Sequence, residues 1–416
     1  MKNLLNTYKE DKKNNFKYLL KYKNFNIDCS KLIYNNSEWI NYAKQNRLLY
    51  YNSTINTKCS EIYKRGFGTV NGTSNIEKKY SLAYARNIYN NYEIVELLLL
   101  AQYSKNNHYC YAVDSKYPDL YKKMIQLEKC LPNVYVTKKQ FDFQSNGKFT
   151  SIGHYECMKL LLKKKWDYMF LLQMDDIVIK TNRQILEILE AINFSLDMAF
   201  TNEKLAIKKR VNFTLTWTYK DLNIFLKDDI RRNNHEIINK SIIFYKGLVP
   251  SGMKRETINY IVNKINITTY LNQLNSDLYG HDELTWQTLL TDDILNIPKN
   301  IPKKCVFIYY PRSTYLSRKV IWGKSKCSTN MIYHTICTWG VESLKNINKY
   351  TEIHGYRFKD SQDYGALKCW VNYMYQRNNF LNHENPNLWY YYNLPQSVFE
   401  RKRQSNDYES INLCKL

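Results

Sequence analysis

This chain lacks several common signatures, and each absence narrows its function. Its ten cysteines contain no Cys-x-x-Cys pair, so zinc-ribbon and dithiol redox sites lack their ligand spacing. No apolar run approaches a membrane span; the most apolar stretch, 94–101, is interrupted by Glu96. The opening residues Met1-Lys-Asn-Leu-Leu do not form a signal-peptide pattern. No internal repeat is visible. Lys and Arg number 61 against 38 Asp and Glu, a net charge of +23, but no zinc-finger, basic-zipper or RNA-recognition signature accompanies this surplus. The lysines are scattered, with short clusters such as Lys163-Lys164-Lys165, and read as a solvated basic surface. A nucleic-acid partner is not expected.

The 416 residues allow one large α/β domain with additions, or two domains. A hydrophobic content of 44% supports a sizeable core and excludes global disorder. The cysteines (29, 59, 110, 130, 157, 305, 327, 337, 369 and 414) are even in number and dispersed. Disulfides in an oxidising compartment and small buried thiols in a cytosolic protein both fit that pattern. Seven Asn-x-Ser/Thr sequons occur, at Asn35, Asn52, Asn71, Asn193, Asn212, Asn239 and Asn266. A chain this rich in Asn carries about five or six by chance, so they decide little.

Residues 1–78 are polar and read as a stem-like region tied to the main body. Residues 79–377 read as the catalytic domain and 378–416 as a tail. From Leu82 onward the periodicity alternates. Strands are expected at 82–88, 108–113, 133–136 and 168–173, and helices at 92–103, 117–130, 154–164 and 183–192, the last capped at Thr181-Asn182. A segment at 196–245 is irregular, 255–265 is helix-like, and 305–310 reads as a further strand. The alternation predicts an open, largely parallel sheet with flanking helices, whose ligands bind beyond the carboxyl ends of the strands. Asp114 and Asp176 stand at two such ends and are placed to face a ligand. The bland alternative is a loop Asp capping a helix.

Chemistry concentrates at His281-Asp282-Glu283-Leu284-Thr285-Trp286, where two adjacent carboxylates precede an aromatic residue. With Cys110-Tyr-Ala-Val-Asp114, Cys130-Leu-Pro-Asn-Val134, Cys157-Met-Lys-Leu-Leu161, Asp176-Ile-Val-Ile-Lys-Thr-Asn182, Cys337-Thr-Trp-Gly340, Arg357-Phe358 and Ala366-Leu-Lys-Cys369 it forms a collinear series from about Leu82 to Trp370. Each motif is weak alone. Together they resemble the core-2/I-branching β-1,6-N-acetylglucosaminyltransferases, in particular divergent nematode-type members.

The resemblance implies a glycosyltransferase A-like, Rossmann-like α/β fold and an inverting transfer of N-acetylglucosamine from UDP to the 6-hydroxyl of a galactose or N-acetylgalactosamine on a glycan. It implies no metal cofactor, and no Asp-x-Asp triplet occurs in the chain. It also implies disulfides Cys29–Cys369, Cys59–Cys130, Cys110–Cys157 and Cys327–Cys337. Cys305 and Cys414 are left to pair or remain free. Residue by residue, it makes Glu283 the catalytic base, and aromatic bulk nearby would raise its pKa towards neutrality. The bland reading of Glu283 is a first-turn helix carboxylate on the helix dipole. Asp282 is an N-cap or an orienting neighbour, and Asp176 an orienting neighbour behind the site. Arg357 stands where the family has a Lys on the diphosphate, and His334 where it has an Arg. A neutral imidazole there carries no full charge at pH 7, so leaving-group stabilisation is weaker or comes from a nearby Lys. Asp114 lies at the nucleotide end, and Trp322 stacks on the acceptor sugar.

Family members are type II Golgi proteins, whereas this amino terminus is polar. A truncated start accounts for that more simply than a cytosolic chain, which would not form the implied disulfides. The alternatives are a related transferase using another UDP-sugar such as UDP-xylose, and an inactive glycan-binding relative. Oligomeric state is left open.

Overall fold

The computed structural model describes residues 28–50, 55–68, 74–380, 384–405 and 414. The amino-terminal segment read for a leader, and the sequons at Asn52 and Asn71, lie outside the described residues. The strands are β1 (Leu82–Ile88), β2 (His108–Val113), β3 (Val134–Val136), β4 (Tyr168–Leu172), β5 (Ile177–Val178), β6 (Ser251–Lys254), β7 (Lys319–Val320), β8 (Ile332–Tyr333), β9 (Ile336–Cys337) and β10 (His354–Tyr356). The principal helices are α1 (Cys29–Ile33), α2 (Ser37–Gln45), α3 (Tyr92–Leu100), α4 (Pro118–Cys130), α5 (Thr150–Leu161), α6 (Asn182–Ala191), α7 (Arg255–Asn263), α8 (Thr285–Leu290), α9 (Asp360–Asn379), α10 (Leu388–Tyr392) and α11 (Pro395–Gln404).

The central sheet has the order β3-β2-β1-β4-β6. Its first four strands are parallel, and β6 runs antiparallel on β4 with Leu171 opposite Ser251. Both faces are covered, which is why β1 and β4 read as continuous buried runs rather than alternating ones. The pleat sends Leu82, Tyr84 and Ile88 of β1 to one face, with Tyr109, Tyr111 and Phe170, against α3, α4, α6 and α9. Ala83 and Ala85 point to the other, with Met169 and Leu171, against α5, α7 and α8. Arg86, on the first face, is the one charge in β1. It is buried and donates through one Nη to the carbonyls of Gln173, Met174 and Asp176. It thereby clamps the turn that leaves β4, adding to the one backbone bond there, from the Asp176 N–H to the Gln173 carbonyl.

A small second sheet, β5-β10-β7, lies beyond that turn. The β8–β9 hairpin stands beside it, and its base is closed by Cys327–Cys337. The described part of 1–78 packs into the main core through Leu32, Ile40, Ala43, Ile62 and Phe67. Arg65 neutralises the buried Glu96 of α3, and Arg47 joins Glu342 and Asp363. Residues 384–405 carry α10 and α11, with Tyr391, Leu394 and Phe399 buried.

The segment 305–310 is not a strand. A 3₁₀ turn at Lys303–Cys305 leads into a helical turn, Val306–Tyr309. Its β-branched and aromatic residues match strand composition. However, Cys305, Val306 and Tyr310 are buried while Phe307 is 48% exposed, a helical rather than alternating spacing. Cys305 is held there by a disulfide to Cys414.

Candidate active site

Four groups of side chains gather at the carboxyl end of the sheet. The first is at the end of β2. The Asp114 carboxylate accepts the Lys116 backbone N–H at 3.0 Å, and its other oxygen lies 3.1 Å from the Lys116 ammonium, which also reaches Asp142 at 2.6 Å. Asp114 is itself buried, and its backbone bridges to Phe141.

The second group is the turn after β4, where two neighbouring carboxylates meet different fates. Asp176 is fully buried. It takes both Nε and Nη2 of Arg318, at 2.6 and 2.7 Å, as well as the Gln173 N–H at 2.7 Å. It is therefore sealed inside an ion pair and does not face a ligand, contrary to the sequence expectation. Asp175 is the carboxylate turned outward. One of its oxygens lies 2.6 Å from Lys359 Nζ and 3.4 Å from Arg357 Nη1.

Arg357 belongs to the third group. Its guanidinium lies over the rings of Tyr333, at 4.3 Å, and Tyr356, at 4.9 Å. It donates to the Tyr356 hydroxyl at 2.5 Å and to the Tyr333 carbonyl at 3.3 Å. The hairpin thus presents Tyr333 to Arg357, while the backbone bond from Trp339 to the Arg357 carbonyl fixes their spacing. His334 sits at the hairpin tip with a left-handed backbone. It is exposed and packs its ring 4.3 Å from that of Tyr333. Trp322 lies on the adjoining segment, bridged to Ile336. It is 46% exposed, with the Arg312 guanidinium 5.8 Å from its ring.

The fourth group surrounds Glu283. Its carboxylate is 3.3 Å from Lys246 Nζ and 3.4 Å from Arg210 Nη2, and Lys246 also reaches Glu203 at 3.3 Å. These cations, rather than aromatic bulk, are its immediate partners, since Trp286 is fully buried in the core. Asp282 is not an N-cap: His281–Glu283 forms a 3₁₀ turn, and Leu284 occupies the N-cap of α8. Its buried carboxyl is pushed up to about 7, by desolvation first and by the neighbouring Glu283 second. Gly147 makes room for it. That residue has φ +97°, and a Cβ there would lie 2.2 Å from an Asp282 oxygen.

The segment after Pro311 links the second and fourth of these groups. Tyr315 donates to the Pro250 carbonyl, on the loop between Lys246 and β6, and Arg318 holds Asp176. Because β6 is antiparallel to β4, that loop emerges at the same end of the sheet as Asp175. Arg86, Arg210, Lys246, Arg318 and Lys359 were not singled out by sequence reasoning. Only Arg86 left a signal, as a lone charge inside an apolar strand.

The structure pairs Cys29 with Cys369, Cys59 with Cys130, Cys110 with Cys157 and Cys327 with Cys337, as well as Cys305 with Cys414, and no free cysteine remains among the described residues. No helix among them is long and apolar enough to cross a membrane.

A mixed, largely parallel α/β sheet thus carries carboxylates and a cationic cluster at its carboxyl end, the end at which open sheets of this kind bind their ligands. The family model described as "Branch: Core-2/I-Branching enzyme" matches residues 82–348, and the chain belongs to that family. It is similar to β-1,3-galactosyl-O-glycosyl-glycoprotein β-1,6-N-acetylglucosaminyltransferase 4 of Danio rerio, 26% identical over 307 residues, 70% of this chain and 69% of that one. It is also similar to the N-acetyllactosaminide β-1,6-N-acetylglucosaminyl-transferase of Homo sapiens, 23% identical over 303 residues, 69% of this chain and 70% of that one. A shorter match, 38% identical over 114 residues and 26% of each chain, is to the probable β-1,3-galactosyl-O-glycosyl-glycoprotein β-1,6-N-acetylglucosaminyltransferase 7 of Homo sapiens. The protein is a glycosyltransferase with a glycosyltransferase A-like fold.

Proposed function

We propose that the protein moves N-acetylglucosamine from UDP-N-acetylglucosamine to the 6-hydroxyl of a galactose or N-acetylgalactosamine on a glycan, with inversion and without a metal ion. The observation that carries this reading is the division of labour at the sheet's carboxyl end. Glu283 is a carboxylate held by two cations, and Arg357 with Lys359 forms a separate cationic cluster off the end of β4. Glu283 takes the proton of the acceptor hydroxyl as its oxygen bonds to the anomeric carbon. The bond from that carbon to the diphosphate oxygen breaks on the opposite face, and the electron pair leaves with UDP. Arg357 and Lys359 meet the charge that develops there. Asp114 serves the nucleotide end, and Trp322 offers its exposed ring to the acceptor.

Metal independence is supported by the fate of the acidic pair. Asp175 and Asp176 are both engaged by cationic side chains rather than left to share a divalent ion. Five disulfides support an oxidising compartment, and we place the protein in the Golgi lumen as a type II membrane protein. The exposed His334 at the hairpin tip favours a second reading, an inactive glycan-binding relative, because no fixed positive charge stands there. The test is transfer to a core-1 disaccharide from UDP-N-acetylglucosamine and from UDP-xylose, each with and without EDTA. A β-1,6-linked N-acetylglucosamine product formed in EDTA supports the proposal. Product from UDP-xylose alone reassigns the donor, and no product from either supports the inactive relative.

A further inference from the structure

Two neighbouring carboxylates on the turn after β4 have unequal partners, and the inequality carries information. The Arg318–Asp176 pair is complete. Two short bonds join its oxygens to Nε and Nη2, and the two side chains are 6% and 0% exposed. The cluster around Asp175 is incomplete. Two cations, Arg357 and Lys359, converge on a single oxygen, and the Arg357 contact of 3.4 Å is too long for a good charge-assisted bond. The buried Arg357 Nε has no hydrogen-bond partner, and Nη2 reaches the Tyr333 carbonyl only at 3.3 Å. A guanidinium with five donors in a rigid fork is thus held in place by two tyrosine rings, yet underfilled with acceptors. Lys359 lies against Tyr333 as well, 5.3 Å from its ring, and against Tyr89 at 5.9 Å. One carboxylate against two cations leaves a surplus positive charge. Asp175 stands on the four-residue turn between β4 and β5, and only one of its oxygens is engaged by the two cations.

We infer that Asp175 is an internal competitor for the donor. It orients Arg357 and Lys359 and yields both to the diphosphate, which brings more acceptor oxygens than a carboxylate does. This rests on the nucleotide-sugar reading above and adds two roles to it. Lys359 becomes a diphosphate-binding residue alongside Arg357, and Asp175 becomes a positioning residue that weakens nucleotide binding and thereby eases release of UDP.

The experiment is UDP binding by calorimetry to the wild-type protein, Asp175→Asn, Asp175→Ser and Lys359→Met, with folding checked by thermal melting. Removal of the competing charge is expected to tighten UDP binding by about threefold or more, in whichever Asp175 variant retains the wild-type melting behaviour. Lys359→Met is expected to weaken it by about tenfold. A purely structural Asp175 would not produce tighter binding. Unchanged or weaker UDP binding in a folded Asp175 variant overturns the inference while leaving the transferase reading intact. Failure of the wild-type protein to bind UDP sinks the transferase reading and the inference with it.

Discussion

Asp282 and Glu283 are neighbours in sequence with opposite surroundings. Glu283 is partly open and faces Arg210 and Lys246, whereas Asp282 is buried against Gly147 with its carboxyl pushed up to about 7. A carboxyl whose folded pKa lies above its unfolded value stays protonated in the native state while the unfolded chain releases its proton. The stability it contributes is therefore present in acid and lost as pH rises from about 4 to about 7. Asp282→Asn removes that loss. Urea denaturation of wild type and variant should show the variant gaining on the wild type across that window and then levelling off, whereas a constant difference would contradict the assigned burial. Sequence reasoning placed the neutral-range carboxyl at Glu283, next to Trp286. Of this pair, the raised carboxyl that the structure shows is that of Asp282, whose side chain the 3₁₀ turn buries.

At the scale of elements, the site is held by short connections rather than long helices. The turn after β4 carries Asp175 and Asp176, the β8–β9 hairpin carries Tyr333, and the 3₁₀ turn at His281–Glu283 carries the acidic pair that the loop around Gly147 packs against. Gly147→Ala forces a Cβ into the Asp282 carboxylate at a backbone angle that disfavours it. It should cost about 1–3 kcal/mol of stability and lower transfer roughly tenfold or more, measured by denaturation and by initial rates. An alanine variant with wild-type rates would show that this loop does not support the site. The strands β1, β2 and β4 were legible because burial on both faces leaves long apolar runs, and Thr181-Asn182 marked the start of α6, which the structure caps through Thr181 and Gln184. The cationic cluster was not legible. Arg357 and Asp175 are separated by 182 residues, and nothing in the local pattern around either names the other. Segment 305–310 was misread because strand-like residue types outweighed a short helical spacing.

Over the whole molecule, the described amino- and carboxyl-terminal segments are stitched to one body. Cys29–Cys369 spans 340 residues and pins α1 to α9, the helix that follows Arg357 and Lys359. Cys59–Cys130 ties the same amino-terminal region to the end of α4. Replacing Cys29 and Cys369 together by Ser should lower unfolding stability by roughly 2–4 kcal/mol, mainly through the freed unfolded chain. An unchanged melting temperature would show that the amino-terminal region is held by packing alone. The positive charge is not uniform in role. Most lysines are solvated, whereas Lys246, Lys359, Arg210, Arg318 and Arg357 are drawn in towards carboxylates at one end of the sheet. Chain-wide counts cannot separate the two populations.

The central claim is that Glu283 acts as the base of a metal-free transfer from a UDP-sugar. Its most direct test is the initial rate of wild type and Glu283→Gln with UDP-N-acetylglucosamine and a core-1 acceptor in EDTA, with UDP affinity measured alongside. The account predicts that wild-type turnover survives EDTA, and that the variant loses roughly 10² or more in kcat while binding UDP as before. A variant that turns over like the wild type, or a wild type silenced by EDTA and restored by a divalent cation, would contradict it.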